Sequence, residues 1–285
     1  ASNPHGLFHL NQSMQSLSNA LEDSLKSSNA KLFYGQKVNS IHFDKKNKSW
    51  KIHAKSNKEN FEYTAKDIVY AVPPQSLLDH LVDSSEGYQR YKKAIRELPE
   101  PTGAIVFYSA LKRVDGKESL FSHYQFKSEA LGSLFVSISQ EGDGRAPVGE
   151  MTLIASIFVD TKEWCDLSKD IYIEKKKNYL NKITQEIENK FQILPNHWIH
   201  RELATPLGFQ KWTNRPRGIV GGLGQNLDTF GLFGLSSRTP FKGLWLCGDS
   251  IYPGEGTAGV SQSACMVVRQ LLSSRGLPTS ELLTF

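Results

Sequence analysis

The chain predicts an α/β protein, and three observations carry that prediction. Leu244-Trp-Leu-Cys-Gly248 is a short apolar segment that runs into a glycine-rich loop and then into an apolar pattern of helical period, giving strand, loop and helix in succession. Asp67-Ile-Val-Tyr-Ala-Val72 shows no polar alternation, as expected of a strand covered on both faces. Val38 to Phe43 and Trp50 to Ala54 read as the arms of a hairpin, joined by the solvent-seeking turn Lys45-Lys46-Asn47-Lys48. With 285 residues, 39% hydrophobic and 22% charged, the chain has the composition of a compact folded protein with room for one large domain or two ordinary ones.

Taken in order, Met14, Leu17, Leu21 and Leu25 recur at helical spacing and predict an amphipathic helix over about 12–27, stopped by Ser27-Ser28-Asn29. Lys31 to Tyr34 and a glycine lead to the first hairpin arm, whose apolar members are Val38, Ile41 and Phe43. Phe61 to Tyr63 supplies a third arm, and Pro73-Pro74 prevents the strand at 67–72 from continuing. From about 76 to 200 the texture changes to helical stretches enclosing strand-like runs at 104–110, 133–139 and 152–159, which predicts a second lobe. Ile173, Leu180, Ile183, Ile187 and Phe191 sit at near-heptad spacing in a lysine-rich stretch, so a long surface helix is expected to end before Pro195. After Thr205-Pro206 the chain becomes glycine-rich. In the last helix Val260, Ala264, Val267, Val268, Leu271 and Leu272 share one face, with Gly276 and Pro278 as stop signals.

Several function classes are disfavoured at this level. A net charge of +5 without an arginine-rich or aromatic-interleaved basic tract argues against a nucleic-acid partner. Cys165, Cys247 and Cys265 are odd in number and lack CxxC spacing, which suggests neither disulfides nor a zinc site and fits a reducing, cytoplasmic compartment. The eight histidines, His197 and His200 included, never take ligand spacing with a carboxylate, so no metal is expected. No GxSxG or HExxH motif supports hydrolysis. Apolar runs fall far short of the roughly 20 residues that cross a bilayer. Lys175–Lys177 is a candidate for peripheral contact with anionic lipid, the plainer alternative being a solvated helix face.

The chemistry concentrates in Asp249-Ser-Ile-Tyr-Pro-Gly-Glu-Gly-Thr-Ala-Gly259. A strand-to-helix junction of this kind aims free backbone N–H groups and the positive end of a helix dipole at an anion or an electron-rich carbonyl. Gly254, Gly256 and Gly259 formally match GxGxxG, yet no second strand ending in Asp or Glu follows about 20 residues on. On spacing alone, the loop either serves a cofactor anchored elsewhere or is a tight turn.

The stretch from Phe241 through Gly248-Asp249-Ser250, Pro253-Gly254 and Gly256 to Ser263 resembles the C-terminal flavin signature of the phytoene desaturase and carotenoid isomerase family, within the flavin amine oxidase superfamily. Ala204-Thr205-Pro206 with Trp212 and Gly218 is similar to the family's Thr-Pro segment, and residues 12–73 resemble its middle section more loosely. The resemblance implies an incomplete Rossmann-like FAD domain in two pieces, 1–75 and 201–285, around a mixed sheet-and-helix substrate lobe at 76–200. It implies FAD as cofactor and an oxidoreductase acting on a hydrophobic, polyene-like substrate. Carried over by position, Asp249 accepts hydroxyls of the ribityl chain and Gly248 admits the cofactor beside it. Gly256, Thr257, Ala258, Gly259 and Val260 form the helix start facing the flavin ring, and Val38 offers its backbone to the adenine. No side chain is assigned as catalytic acid or base. Two departures stand out: Asn11-Gln12-Ser13 stands where the family has a Gly-Gly pair, and the start at Ala1-Ser-Asn-Pro-His5 reads as a cut end, expected to fall after the family's N-terminal GxGxxG unit. The chain alone is therefore expected to hold FAD weakly and to be inactive, with that N-terminal segment of its parent as its missing partner. The alternatives are a flavin amine oxidase, for which Trp212 and Tyr252 are the aromatic pair to test, and a non-catalytic binding or structural module.

Overall fold

The computed structural model describes residues 10, 13–57, 59–99, 101–113, 122–224, 227, 229 and 231–279. In chain order its elements are α1 (Gln15–Ser27), β1 (Lys37–Asp44), β2 (Ser49–Lys55), β3 (Asn60–Ala65), β4 (Ile68–Tyr70), α2 (Pro74–His80) and α3 (Glu86–Arg96). There follow β5 (Gly103–Lys112), β6 (His123–Ser128), β7 (Gly132–Ile138), β8 (Glu150–Val159), α4 (Lys169–Phe191), β9 (Trp198–Ala204), α5 (Pro206–Thr213), β10 (Leu244–Leu246) and α6 (Gly256–Ser274). The expected mixture of helix and sheet is present. Asn11 and Gln12, which stand where the family has Gly-Gly, lie outside the described residues, as do Ala1 to His5.

Two compact units emerge. One gathers the described parts of Ala1–Tyr34 with Ala104–Val159 and Asp166–Thr205. Its sheet has the order β6-β7-β8-β5-β9. Alternation decides which face is buried: Ile105, Phe107 and Leu111 of β5, Leu134, Val136 and Ile138 of β7, and Met151, Leu153 and Ile157 of β8 are all buried. The C-terminal half of α4 closes that face with Ile183, Ile187 and Phe191, and the Phe191 ring meets Tyr124 edge-on at 4.9 Å between centroids. The helix expected at the surface is thus a surface helix only in its first half, because its second half carries the apolar stripe that the sheet needs covered. Tyr108, Phe135 and Phe158 are exposed.

The other unit gathers Gly35–Gly103, Asp160–Cys165 and Pro206–Phe285. Residues 76–103, read in sequence as the opening of the second lobe, fall here. Strands β1, β2 and β3 form an antiparallel meander, while β10 pairs in parallel with β4, Leu244 opposite Ile68 and Leu246 opposite Tyr70. The strand expected to run to Val72 stops at Tyr70, since Pro74 already begins α2 at a position where its missing N–H costs nothing. Ile41, Trp50, Tyr70, Leu77, Leu81, Leu244, Leu246 and Ile251 form one buried cluster. Trp50 Nε1 donates to the Lys242 carbonyl at 3.0 Å and so anchors the meander to the segment entering β10. Packing of this kind holds the C-terminal ends of two parallel strands side by side, and ligands of open α/β sheets gather outside such ends.

Candidate functional site

Beyond Leu246 the chain leaves the sheet under tight control. Cys247 N–H donates to the Tyr70 carbonyl at 3.1 Å, and Gly248 N–H donates to Ser263 Oγ at 3.2 Å, tying the strand end to the fully buried middle of α6. Gly248 has φ +115°, and the nearest atom to a Cβ added there is the Ala71 carbonyl oxygen at 4.0 Å. That conformation suits glycine, and the space before it is open.

Asp249 is partly buried. Its Oδ2 accepts from Arg215 Nη2 at 2.7 Å, whereas Oδ1 receives only a long 3.4 Å bond from Ser250 Oγ. Gly221 and Gly222 pass directly over this loop. A Cβ on Gly222 would lie 2.3 Å from the Asp249 carbonyl oxygen, and one on Gly221 would lie 2.1 Å from Glu255 Oε2. Glu255 occupies the N-cap position of α6 yet makes no capping bond. Burial, and secondarily the charge of Asp249, pushes its carboxyl above the usual carboxylate range.

Among the described residues no side chain caps the start of α6, and it is also uncovered. Gly256, Thr257 and Ala258 are exposed, and nothing lies within 4 Å of the Cβ position at Gly256. Gly259 has a structural reason of its own, for a Cβ there would sit 2.4 Å from the Gly254 carbonyl oxygen. Val260 is half-buried.

Val38 lines a predominantly apolar cleft of about 530 Å³ that Val69, Val72, His80 and Arg215 also line. Tyr70 and His80 hydrogen-bond to each other at its wall. Burial raises the Tyr70 phenol above its ordinary pKa and lowers that of the His80 imidazole. Arg215 thus lines the Val38 cleft and grips Asp249, bringing these two sequence candidates to one common neighbour. Sequence reasoning passed over Arg215, Glu255 and the purpose of Gly221-Gly222. The glycine pair was visible as a run of small residues, but nothing around Arg215 in Asn214-Arg215-Pro216 marks it. Trp212 is 80% exposed under Lys211 Nζ, and no ring contact among the described residues joins it to Tyr252.

Chemically, the site offers one weakly engaged carboxylate oxygen for a hydroxyl, a helix start for an electron-rich carbonyl and an apolar cleft lined by a guanidinium. Among the described residues no group of three His, Cys, Asp or Glu side chains could hold a metal, and no helix is long and apolar enough to cross a membrane.

No family model matches the chain. Over 149 residues, 51% of the chain, it is 30% identical to the chloroplastic prolycopene isomerase of Daucus carota, and over 152 residues it is 30% identical to that of Arabidopsis thaliana. These matches span only 24% and 25% of the two curated relatives. Among solved structures, an oxidoreductase from Methanosarcina mazei superposes with a TM-score of 0.56 at 17% identity, over 90% of this chain and 54% of that one. Cyclohexylamine oxidase from Brevibacterium oxydans gives 0.56 at 13% identity, over 90% and 52%. A complex of aklavinone-11 hydroxylase with FAD and aklavinone gives 0.52 at 10%, over 93% and 42%. The structural neighbours establish the fold, and the curated relatives bear out the resemblance to the carotenoid isomerase family.

Proposed function

We propose that this chain supplies the flavin-facing part of an FAD-dependent oxidoreductase acting on a hydrophobic, polyene-like substrate. The observation that carries the proposal is the open, uncapped start of α6 beside Asp249, whose second carboxylate oxygen is nearly free. The residues present fit the group. Gly248 leaves space where any other residue would put a side chain, and Arg215 Nε is buried without a partner among the described residues.

In this reading Asp249 would accept from ribityl hydroxyls, and the free amides of the opening turn, Gly256 to Ala258, with Gly259 and Val260 continuing that turn, would stabilise the negative charge that gathers on the flavin on reduction. Because these donors are fixed before any ligand arrives, little reorganisation is required of them. Val38, which lines the apolar cleft, would offer its backbone to the adenine. When bound, FAD supplies hydride transfer, or isomerisation of a polyene on its reduced form; the protein supplies position and electrostatics. The names of the curated relatives support the polyene over other hydrophobic substrates.

The test uses the protein at its natural length. Its visible absorption spectrum is expected to carry the flavin bands, and a panel of carotenoids and amines added without oxygen is expected to change that spectrum with carotenoids. A colourless protein points to the non-catalytic module instead, and bleaching by amines alone points to the amine oxidase.

A further inference from the structure

We infer that Arg215 is a cofactor-positioning residue, which fixes Asp249 through one carboxylate oxygen so that the other is presented to a ligand hydroxyl. This rests on the flavin reading above and assigns a role that neither the motif nor the relatives supply.

The geometry is unlike that of a pair whose purpose is stability. Arginine carries five N–H donors in a rigid fork, and with a carboxylate it commonly forms two parallel bonds. Here, among the described residues, Arg215 makes a single bond, Nη2 to Asp249 Oδ2 at 2.7 Å, although both side chains are largely withdrawn from water. Nε is buried and has no partner among the described residues, and leaving such a donor without an acceptor is costly. An arginine so placed is short of an oxygen-rich ligand, and it lines the same cleft as Val38. Asp249, held at one oxygen, cannot turn that oxygen to the ligand, so Oδ1 is the acceptor on offer. The backbone fixes the partners: Asn214 takes φ +56° before Arg215, and Pro216 follows it. Gly222 seats the Asp249 carbonyl from the other side.

The experiment measures dissociation constants by flavin fluorescence for the natural-length protein and for Arg215→Met, Arg215→Lys, Asp249→Asn and the Met/Asn double variant. Two ligands are compared, FAD and an FAD analogue with a deoxygenated ribityl chain, and apo-protein melting is followed alongside. Arg215→Met is expected to weaken FAD by about tenfold or more, with Arg215→Lys recovering part of the loss. In the Asp249→Asn background the same substitution is expected to cost much less, because the two residues act as one unit. Toward the deoxygenated analogue, Arg215→Met and the unsubstituted protein are expected to differ little, a discrimination that a merely structural ion pair would not produce. FAD affinity indifferent to Arg215, strictly additive losses, or equal losses toward both ligands with a lowered apo melting temperature would each overturn the inference and leave the flavin reading standing. A protein that takes up no FAD overturns both.

Discussion

Gly248 and Gly259 belong to one loop-helix junction and are required for different reasons. Gly259 must be small because its Cα lies against the Gly254 carbonyl, so Gly259→Ala forces the first turn of α6 to shift and is expected to cost about 1–3 kcal/mol of stability. Gly248→Ala meets no neighbour but places a side chain at φ +115°, and its methyl points into the space proposed for the cofactor. Its strain is of similar size, about 1–3 kcal/mol. Both variants should lose flavin affinity beyond what their melting curves explain, Gly248→Ala because its methyl occupies the cofactor's space and Gly259→Ala because the displaced turn carries the proposed donors. Flavin titrations in which either loss merely tracks stability would count against the flavin reading. His80 gives a second residue-level expectation. Burial lowers its pKa in the folded state, against Asp79, which raises it, and with Lys37, which lowers it further. The unfolded chain therefore binds the proton first, and stability is lost as the pH falls below the unfolded value of about 6.5. Urea midpoints recorded from about pH 7.5 to 5.5 should decline more steeply for the unsubstituted protein than for His80→Gln; parallel declines would refute it. The residues differ in how far sequence exposes them. Asp249 and Gly248 belong to a contiguous motif, whereas Arg215 meets Asp249 across 34 positions, and no periodicity records such a contact.

At the scale of elements, the pattern was readable wherever one face of a strand or helix is buried regularly. The hairpin β1–β2 follows its predicted arms because Ile41 and Trp50 anchor a register that a one-residue slip would invert. Strand β9 left no signal, since among its seven residues only Leu203 is buried. Helix α2 was hidden by Pro73-Pro74, which stop a strand and can equally open a helix. Helix α6 begins at Gly256, ahead of the periodic apolar stripe that starts at Val260, because its opening turn is exposed; the family resemblance, not the periodicity, placed the helix start there. That opening turn is the part proposed to act. Its attachment can be probed at Ser263, the buried α6 residue whose Oγ accepts from Gly248 N–H. Ser263→Ala leaves that donor without its acceptor and is expected to lower stability by about 1–3 kcal/mol. A Ser263→Thr variant that keeps the acceptor should retain more flavin affinity than Ser263→Ala, and equal affinities would show that the tie does not position the loop.

At the scale of the whole molecule, the compact units are assembled from separated stretches of chain, which a linear reading divides only coarsely. The segment 76–103 joins residues 35–75 because α2 and α3 contribute Leu77 and Tyr88 to the core around Tyr70, a grouping that depends on contacts distant in sequence. Net charge is legible without any structure, and at +5 it raises the question of membranes. Lys175, Lys176 and Lys177 lie in the first half of α4, where Ile171 and Ile173 are 55% and 52% exposed. Positions two apart on a helix do not share a face, so the two isoleucines cannot enter a bilayer together. Each lysine near an anionic surface is worth about 1 kcal/mol, and Asp170 and Glu174 among them subtract from that. At physiological salt, charges are screened within about 8 Å. Sedimentation with phosphatidylserine-rich vesicles is thus expected to show weak binding at low salt and none at physiological salt. Sedimentation that persists at physiological salt and is abolished by changing Lys175, Lys176 and Lys177 to glutamine would instead make α4 a lipid-contacting surface.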